Sequence, residues 1–182
     1  MTMKSNIAVS MRPQPREYAP YYERYVSLVV DDDILVALEK QLPETIALLS
    51  SRSEADGDFR YSPGKWNVKE VLGHVADTER IFTYRAVRIS RNDKTPIEGF
   101  EQDDYIRYSP FDHCRLSDVV EEFASVREAT LSLFHNLDEP AWTRRGVANE
   151  SEVSVRALAY VIAGHELHHR TILRNKYFGN SR

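Results

Sequence analysis

Four stretches of this chain repeat their apolar residues at intervals of three and four, and no long stretch alternates apolar with polar. The three-and-four interval lines up side chains on one face of an α-helix, whereas a half-buried strand needs a period of two. An all-α fold follows. The first stretch, about 32–51, carries Ile34, Leu35, Leu38, Leu42, Ile46 and Leu49. Asp31, Asp32 and Asp33 suit the positive end of that helix, and Pro43 predicts a kink or a local break within it. The second stretch follows the turn-like SPGKW, with Asn67 as N-cap and Glu70 completing a capping box, and continues to about Ser90. The third runs over about 117–136 on Val119, Val120, Phe123, Val126, Leu131 and Leu133. Ser154 caps the fourth, which reads RALAYVIAGHELHHRTILRNKYF.

The connections after the second and third stretches are long. Residues 91–115 are polar and include Pro96, Gly99 and Pro110, and ordered loops of that length are more often functional than ornamental. Four helices joined in this way predict a four-helix bundle over about 31–178. Residues 1–30, with their prolines and no periodicity, are expected to be an extended or mobile arm.

Charge and composition remove several function classes. Lys and Arg total 24 against 28 Asp and Glu, a net charge of −4 with both signs interspersed. That field does not attract a phosphate backbone, so nucleic acid is not an expected partner. The apolar runs are far shorter than the roughly 20 residues of a membrane helix, so no membrane span is expected. The N-terminal stretch lacks a convincing signal-peptide cleavage site, and cytoplasm is the expected location. Cys114 is the single cysteine, which rules out an intrachain disulfide and fits a reducing compartment. Nothing near it in sequence would activate it as a nucleophile.

The histidines are the chemically informative residues. Of six, three fall within GHELHHR on the fourth helix. At about 100° per residue, Leu158, Ile162, His165, His169 and Ile172 form one stripe, with Val161 beside it. His165 and His169 are then one turn apart on the core face, the arrangement two ligands to one metal require. Two packed imidazoles would occupy the same stripe, but each needs a partner to offset burial. His168 lies at the margin of the stripe and is the substitute ligand. His74, on the second helix beside Thr78 and Arg85, occupies a polar seam that could open onto a cleft. A third imidazole from there would complete a facial set and leave coordination positions free. His113 and His135, in a loop and near a helix end, read as surface residues.

Asp77, Glu79 and Arg80 read as a solvated helix face, although Asp77 could orient an imidazole. Asp103, Asp104 and Tyr105 read as solvated loop residues that could cover a cleft mouth. His165-Glu166-Leu167-His168-His169 also matches the H-E-x-x-H signature of zinc peptidases. Residues 170–182 hold no His, Asp or Glu to supply a downstream ligand, and the edge strand that peptidases use for substrate is not predicted. Glu166 is better read as a solvated or ligand-supporting carboxylate.

SPGKWNVKEVLGHVADTER, then GFEQDDYIR, then SVRALAYVIAGHELHHRTILRNKY together resemble the DinB-like (YfiT-like) superfamily. The resemblance covers about 31–177. It implies an up-down-down-up bundle with a divalent metal (Zn, Ni, Fe, Co or Mn) held by His74, His165 and His169. Trp66 matches a tryptophan that packs the entry to the second helix. Members include thiol-dependent S-transferases using bacillithiol or mycothiol, and homodimers are frequent. The implied function is thus metal binding, with a small-molecule substrate or low-molecular-weight thiol as partner and thiol S-transfer as the reaction. The alternative is a non-catalytic metal-binding, sensor or stress-related interaction protein.

Overall fold

A computed structural model describes residues 12–31 and 33–179. Its long helices are α1 (Ile34–Ser50), α2 (Val68–Ser90), α3 (Leu116–His135) and α4 (Val155–Ile172), the last continued by a π-helical turn, Leu173–Tyr177. The caps are those the sequence calls for. Asn67 and Glu70 form a reciprocal capping box at the start of α2, and Ser154 accepts the Ala157 N–H at the start of α4. The Asp33 side chain accepts from Leu35 and Val36 at the start of α1; Asp32 lies outside the described residues. The break expected at Pro43 does not occur, because α1 runs through it as helix. Proline removes one ladder donor, and packing along both sides of α1 outweighs that loss.

Chain direction follows from two apolar clusters, one at each end of the bundle. One gathers the beginning of α1 (Ile34, Leu38), the ends of α2 (Ala86, Ile89) and α3 (Phe134), and the beginning of α4 (Val155, Leu158). The other gathers the end of α1 (Leu49), the beginnings of α2 (Val68, Val71) and α3 (Leu116, Val119), and Leu173 after α4. Helices α1 and α4 therefore run one way and α2 and α3 the other, which is up-down-down-up. Each of α1 and α2 packs between α3 and α4. Because α2 and α3 are parallel, residues 91–115 must return along the bundle, a distance of about 30 Å for a helix of this length. The length of that connection is a topological necessity. No helix of the described residues is long and apolar enough to cross a membrane.

The connections hold more structure than periodicity suggested. A short helix, Gln102–Arg107, lies within the 91–115 crossover. The connection after α3 folds into a hairpin of β1 (Arg145–Ala148) and β2 (Ser151–Ser154), antiparallel with Arg145 opposite Ser154. Its turn residues, Asn149 and Glu150, have φ of 48° and 61°, the twist that a tight hairpin needs. Four-residue strands are too short to display alternation, which is why a strand-poor reading missed them.

The expected N-terminal arm divides. Residues 1–11 lie outside the described residues. From residue 12 the chain is neither extended nor detached: it forms short helical turns at Pro15–Glu17, Pro20–Tyr22 and Glu23–Val26, and Tyr25, Val26 and Val29 are buried against α4. Glu17 fastens this segment. Its carboxylate accepts from Ser154 Oγ at 2.8 Å and Arg156 Nε at 2.7 Å, and from the Gln14 N–H at 3.0 Å.

Between the two apolar clusters lies a buried polar layer: Gln41 and Thr45 on α1, Thr78 and Glu79 on α2, Arg127 and Thr130 on α3, Glu166 and Arg170 on α4. Arg127, with no exposed surface, is its centre. It donates to Glu79 Oε1 and Oε2, both at 2.8 Å, to Gln41 Oε1 at 2.9 Å and to the Leu38 carbonyl at 3.1 Å. Gln41 Nε2 in turn donates to the Ala163 carbonyl at 3.0 Å. Glu79 is therefore not part of a solvated helix face; that description holds for Asp77 and Arg80, which pair at 3.0 Å.

Two outcomes follow. Glu79→Ala strands a buried guanidinium and should cost about 3–5 kcal/mol, read as a lowered urea midpoint, with Glu79→Gln intermediate. Burial works against ionisation of Glu17, but the bonds from Arg156, Gln14 and Ser154 outweigh it and hold the pKa at about 2. Its folded pKa is depressed, so the stability it confers is present above about pH 4.5 and is lost as pH falls toward 2. After screening near the surface we expect about 1–2 kcal/mol. Thermal unfolding of Glu17→Gln should show a lower midpoint at pH 6 and a smaller further loss on acidification to pH 3 than the parent.

Candidate metal centre

The three histidines selected from the sequence meet at the edge of the polar layer. α2 supplies His74 and α4 supplies His165 and His169, one turn apart on the face turned toward α2. One side-chain nitrogen from each lies within 4.8 Å of the other two. His74 Nε2 and His165 Nε2 are 3.1 Å apart, and the ring centroids are 4.5–4.9 Å apart in all three pairs. Imidazoles bound to one ion at about 2.1 Å stand roughly 3–3.5 Å apart, nitrogen to nitrogen, so the His74–His165 pair already has ligand spacing.

Burial keeps these imidazoles neutral. It lowers the pKa of His74 to about 4, with the charge of His168 adding to the effect. It also drives His165 and His169 well below the ordinary value, aided by the neighbouring histidines and Arg24. Neutral imidazole keeps a lone pair on one nitrogen, which is the form that ligates a metal. The donor set therefore fits a divalent ion of the imidazole-accepting kind.

Aromatic walls fix the rings. Trp66, half-buried, lies tilted over His74 with centroids 4.9 Å apart. Tyr25 meets His165 edge-on at 5.2 Å and His168 at 5.5 Å, and Phe82 faces His165 at 6.5 Å. Thr78 Oγ1 lies 3.4 Å from His74 Nδ1 and helps orient it. His168 meets His169 edge-on at 5.1 Å but stays outside the converging set.

Glu166 departs from both of its expected roles. It is buried, not solvated, and it faces away from the histidines: Thr45 donates to it and Arg170 Nε lies 3.3 Å from it. Burial raises its pKa against the opposing influence of Arg170 and Arg127. The carboxylate that a H-E-x-x-H peptidase would use as base belongs instead to the helix-joining layer. His113 is exposed beside Asp112, and His135 pairs with Glu39 at 2.9 Å on the surface.

His74 and His165 form one wall of a cavity of about 370 Å³. Tyr22 and Tyr25 from the N-terminal segment, Phe82 and Arg85 from α2, and Gly99 to Asp103 from the crossover complete it, with Asn149 of the hairpin turn. Asp103 does sit at the cleft, and exposed Tyr105 packs on Phe100. His169 faces a second cavity of about 310 Å³, lined also by Trp66, Tyr177 and Asp103. Arg85 and Tyr25 were not singled out as site residues. The sequence signal for Arg85 was its place on the His74–Thr78 seam; Tyr25 gave none, because its segment carries no helical period.

Comparison with known proteins agrees with this architecture. The model of the DinB superfamily matches residues 37–173. A candidate metal-dependent hydrolase from Oceanobacillus iheyensis is 22% identical over 143 residues, 78% of this chain and 80% of the relative. Among solved structures, YfiT from Bacillus subtilis superposes with a TM-score of 0.73 at 15% identity, covering 96% of this chain and 100% of that one. It is described as a candidate metal-dependent hydrolase with an unusual four-helix-bundle topology.

The N-terminal segment reaches the site because position 164 has no side chain. A Cβ on Gly164 would overlap the backbone carbonyl of Tyr25. Gly164→Ala should push this segment off α4, cost about 1–3 kcal/mol, and expose Tyr25. Amide exchange should accelerate over residues 17–29 while the α2–α3 contact stays protected; equal protection throughout would contradict the packing described.

Proposed function

The chain belongs to the DinB superfamily, and on that basis we propose that it is a divalent-metal-dependent enzyme whose ion is held by His74, His165 and His169. One observation carries this reading: three neutral imidazoles converge, and two of them, buried His74 and His165, form the wall of a cavity that admits a small molecule. A divalent ion in such a set keeps its full charge, polarises a bound carbonyl or phosphoryl oxygen, and lowers the pKa of a bound water or thiol.

The chain's own residues set the conditions. Trp66, Tyr25 and Phe82 keep bulk water from the rings and hold their orientation. The polar layer behind them, through Gln41 and Ala163, fixes α4 one residue before Gly164 and two before His165. Three protein ligands, in contrast to the four of a closed structural site, leave room for a reactant.

Hydrolysis is the reaction we favour, supported by the description of the Oceanobacillus relative. Thiol S-transfer is the second reading, favoured by a cavity far larger than one water requires. A low-molecular-weight thiol would then occupy the water's place as thiolate.

The metal claim is tested on untagged protein titrated with Zn(II), Ni(II) and Mn(II). We expect about one ion per chain. His74→Ala, His165→Ala and His169→Ala should each lose more than the roughly 10–100-fold that removing a ligand-supporting partner costs, whereas His168→Ala should change affinity little. Uptake unaffected by His74→Ala would refute the proposed ligand set. Loaded protein is then assayed on carboxylic and phosphate esters, and separately on thiols with chlorodinitrobenzene. Ester turnover lost in His165→Ala supports hydrolysis; turnover with thiols alone transfers the assignment to S-transfer.

A further inference from the structure

Arg85 lies on α2 three turns beyond His74, about 16 Å along the axis, yet both side chains line the same cavity. It is 2% exposed. Two other arginines are buried to this degree among the described residues, and each has a carboxylate: Arg127 has Glu79, and Arg170 has Glu44 and Glu166. Arg85 has no carboxylate within ion-pair reach among the described residues. Its Nη2 donates to the Glu98 carbonyl at 3.0 Å, its guanidinium lies over the Phe82 ring at 5.3 Å, and its charge and hydrogen bond partly offset the burial that raises the Tyr22 phenol's pKa. Its Nε has no hydrogen-bond partner.

A buried guanidinium without a counter-charge is costly, and an unused Nε–H makes it more so. Trp142 Nε1 and Glu166 Oε2 also lack partners, but neither residue lines the cavity. Among the described residues, Arg85 alone joins three properties: positive charge, an unused donor and a place on the cavity wall. The Nε edge of a guanidinium is one side of the fork that grips a carboxylate with two parallel bonds. Glu101 and Asp103, the acids of the same cavity, are exposed on its rim and solvated, so they do not neutralise Arg85.

We propose that Arg85 is the anchor for a carboxylate on a small organic substrate, whose opposite end then lies against His74 and His165. The counter-charge that Arg85 lacks is supplied by the ligand. The phenol of Tyr22 and the amide of Asn149, on the same wall, are placed to accept or donate to the remaining polar groups of such a molecule. This rests on the metal-site reading for the identity of the reacting end, but the anion site itself does not require the ion.

The test uses metal-free, full-length protein titrated with benzoate, phenyl phosphate and the uncharged benzamide, followed by amide and side-chain NMR shifts. Benzoate should bind and shift resonances of Tyr22, Phe82 and Gly99, with benzamide weaker by about ten- to a hundredfold. Arg85→Met should abolish that preference, while Arg85→Lys, which keeps charge without the fork, should retain part of it. Stronger binding of phenyl phosphate than benzoate would replace the carboxylate by a phosphate ester. Equal binding of benzoate and benzamide, or undiminished benzoate binding in Arg85→Met, would overturn the proposal.

A structural role is separated by stability. Removing an uncompensated buried charge should leave the urea midpoint of Arg85→Met unchanged or raised, and a large loss would mean that Arg85 is a packing residue. Zn(II) uptake by Arg85→Met should match the parent. His165→Ala should lose uptake and still prefer benzoate, so failure of the anion site and failure of the metal site give different results.

Discussion

The Arg127 guanidinium decides how this bundle is held together. A charge with no access to water is tolerable only if every direction of its fork is answered, and here the answers come from two other helices: Glu79 on α2, with Gln41 and the Leu38 carbonyl on α1. Gln41 passes the connection to the Ala163 carbonyl on α4. One contiguous network therefore touches all four helices at one level. Apolar clusters above and below supply the driving force for burial, but they are indifferent to small rotations and slides of a helix. The polar layer is not, because a slide would leave donors and acceptors unpaired at a cost well above that of repacking. It sets the register of α4 against α2, and so brings His165 and His169 level with His74.

Much of this was legible in the residues. The periods of α1, α2, α3 and α4, the capping box of Asn67 and Glu70, and the shared face of His165 and His169 are local properties, fixed by spacing along one helix. His74 was harder, because nothing along α2 says which helix it will face; the family resemblance supplied that. Glu79, Glu166 and Arg127 show the limit. On a helix wheel each is a charged residue near the edge of an apolar stripe, and whether it meets water or another helix depends on pairing across the bundle. Glu79 and Glu166 were accordingly read as solvated or ligand-supporting, when both belong to the layer that joins helices. The hairpin and the packed turns of residues 15–26 escaped for a different reason: elements of three or four residues are too short to complete a period.

The site is assembled from sequence-distant parts for a reason of topology. Parallel α2 and α3 force residues 91–115 to travel the length of the bundle, and that strand of chain passes the open side of the histidines, where Gly99 to Asp103 form cavity wall. The N-terminal segment covers another side, held by Glu17 to the start of α4 and admitted by Gly164. Neither cover belongs to the four helices. The bundle can therefore keep the histidine geometry while these two segments vary, so changes in them reshape the cavity without disturbing the helices that carry the histidines.

The polar groups of the interior fall into two sets. Arg127, Glu79, Gln41 and Arg170 are answered within the protein, and their consequence is a rigid register. The Nε of Arg85 is a donor that the protein does not consume, the imidazoles of His74 and His165 have each other and Thr78 as partners, and all three residues line one cavity. A fold under pressure for stability alone would pair such a donor or replace it by an apolar group, since an unanswered donor costs on the order of 1–3 kcal/mol. Its place on the same wall as the histidines is therefore best explained by what enters there. On the proposed reading, three uncharged ligands would leave a divalent ion with its whole charge and Arg85 would add another positive charge on the same wall, so that the cavity would receive an anion at one end and polarise a bond at the other.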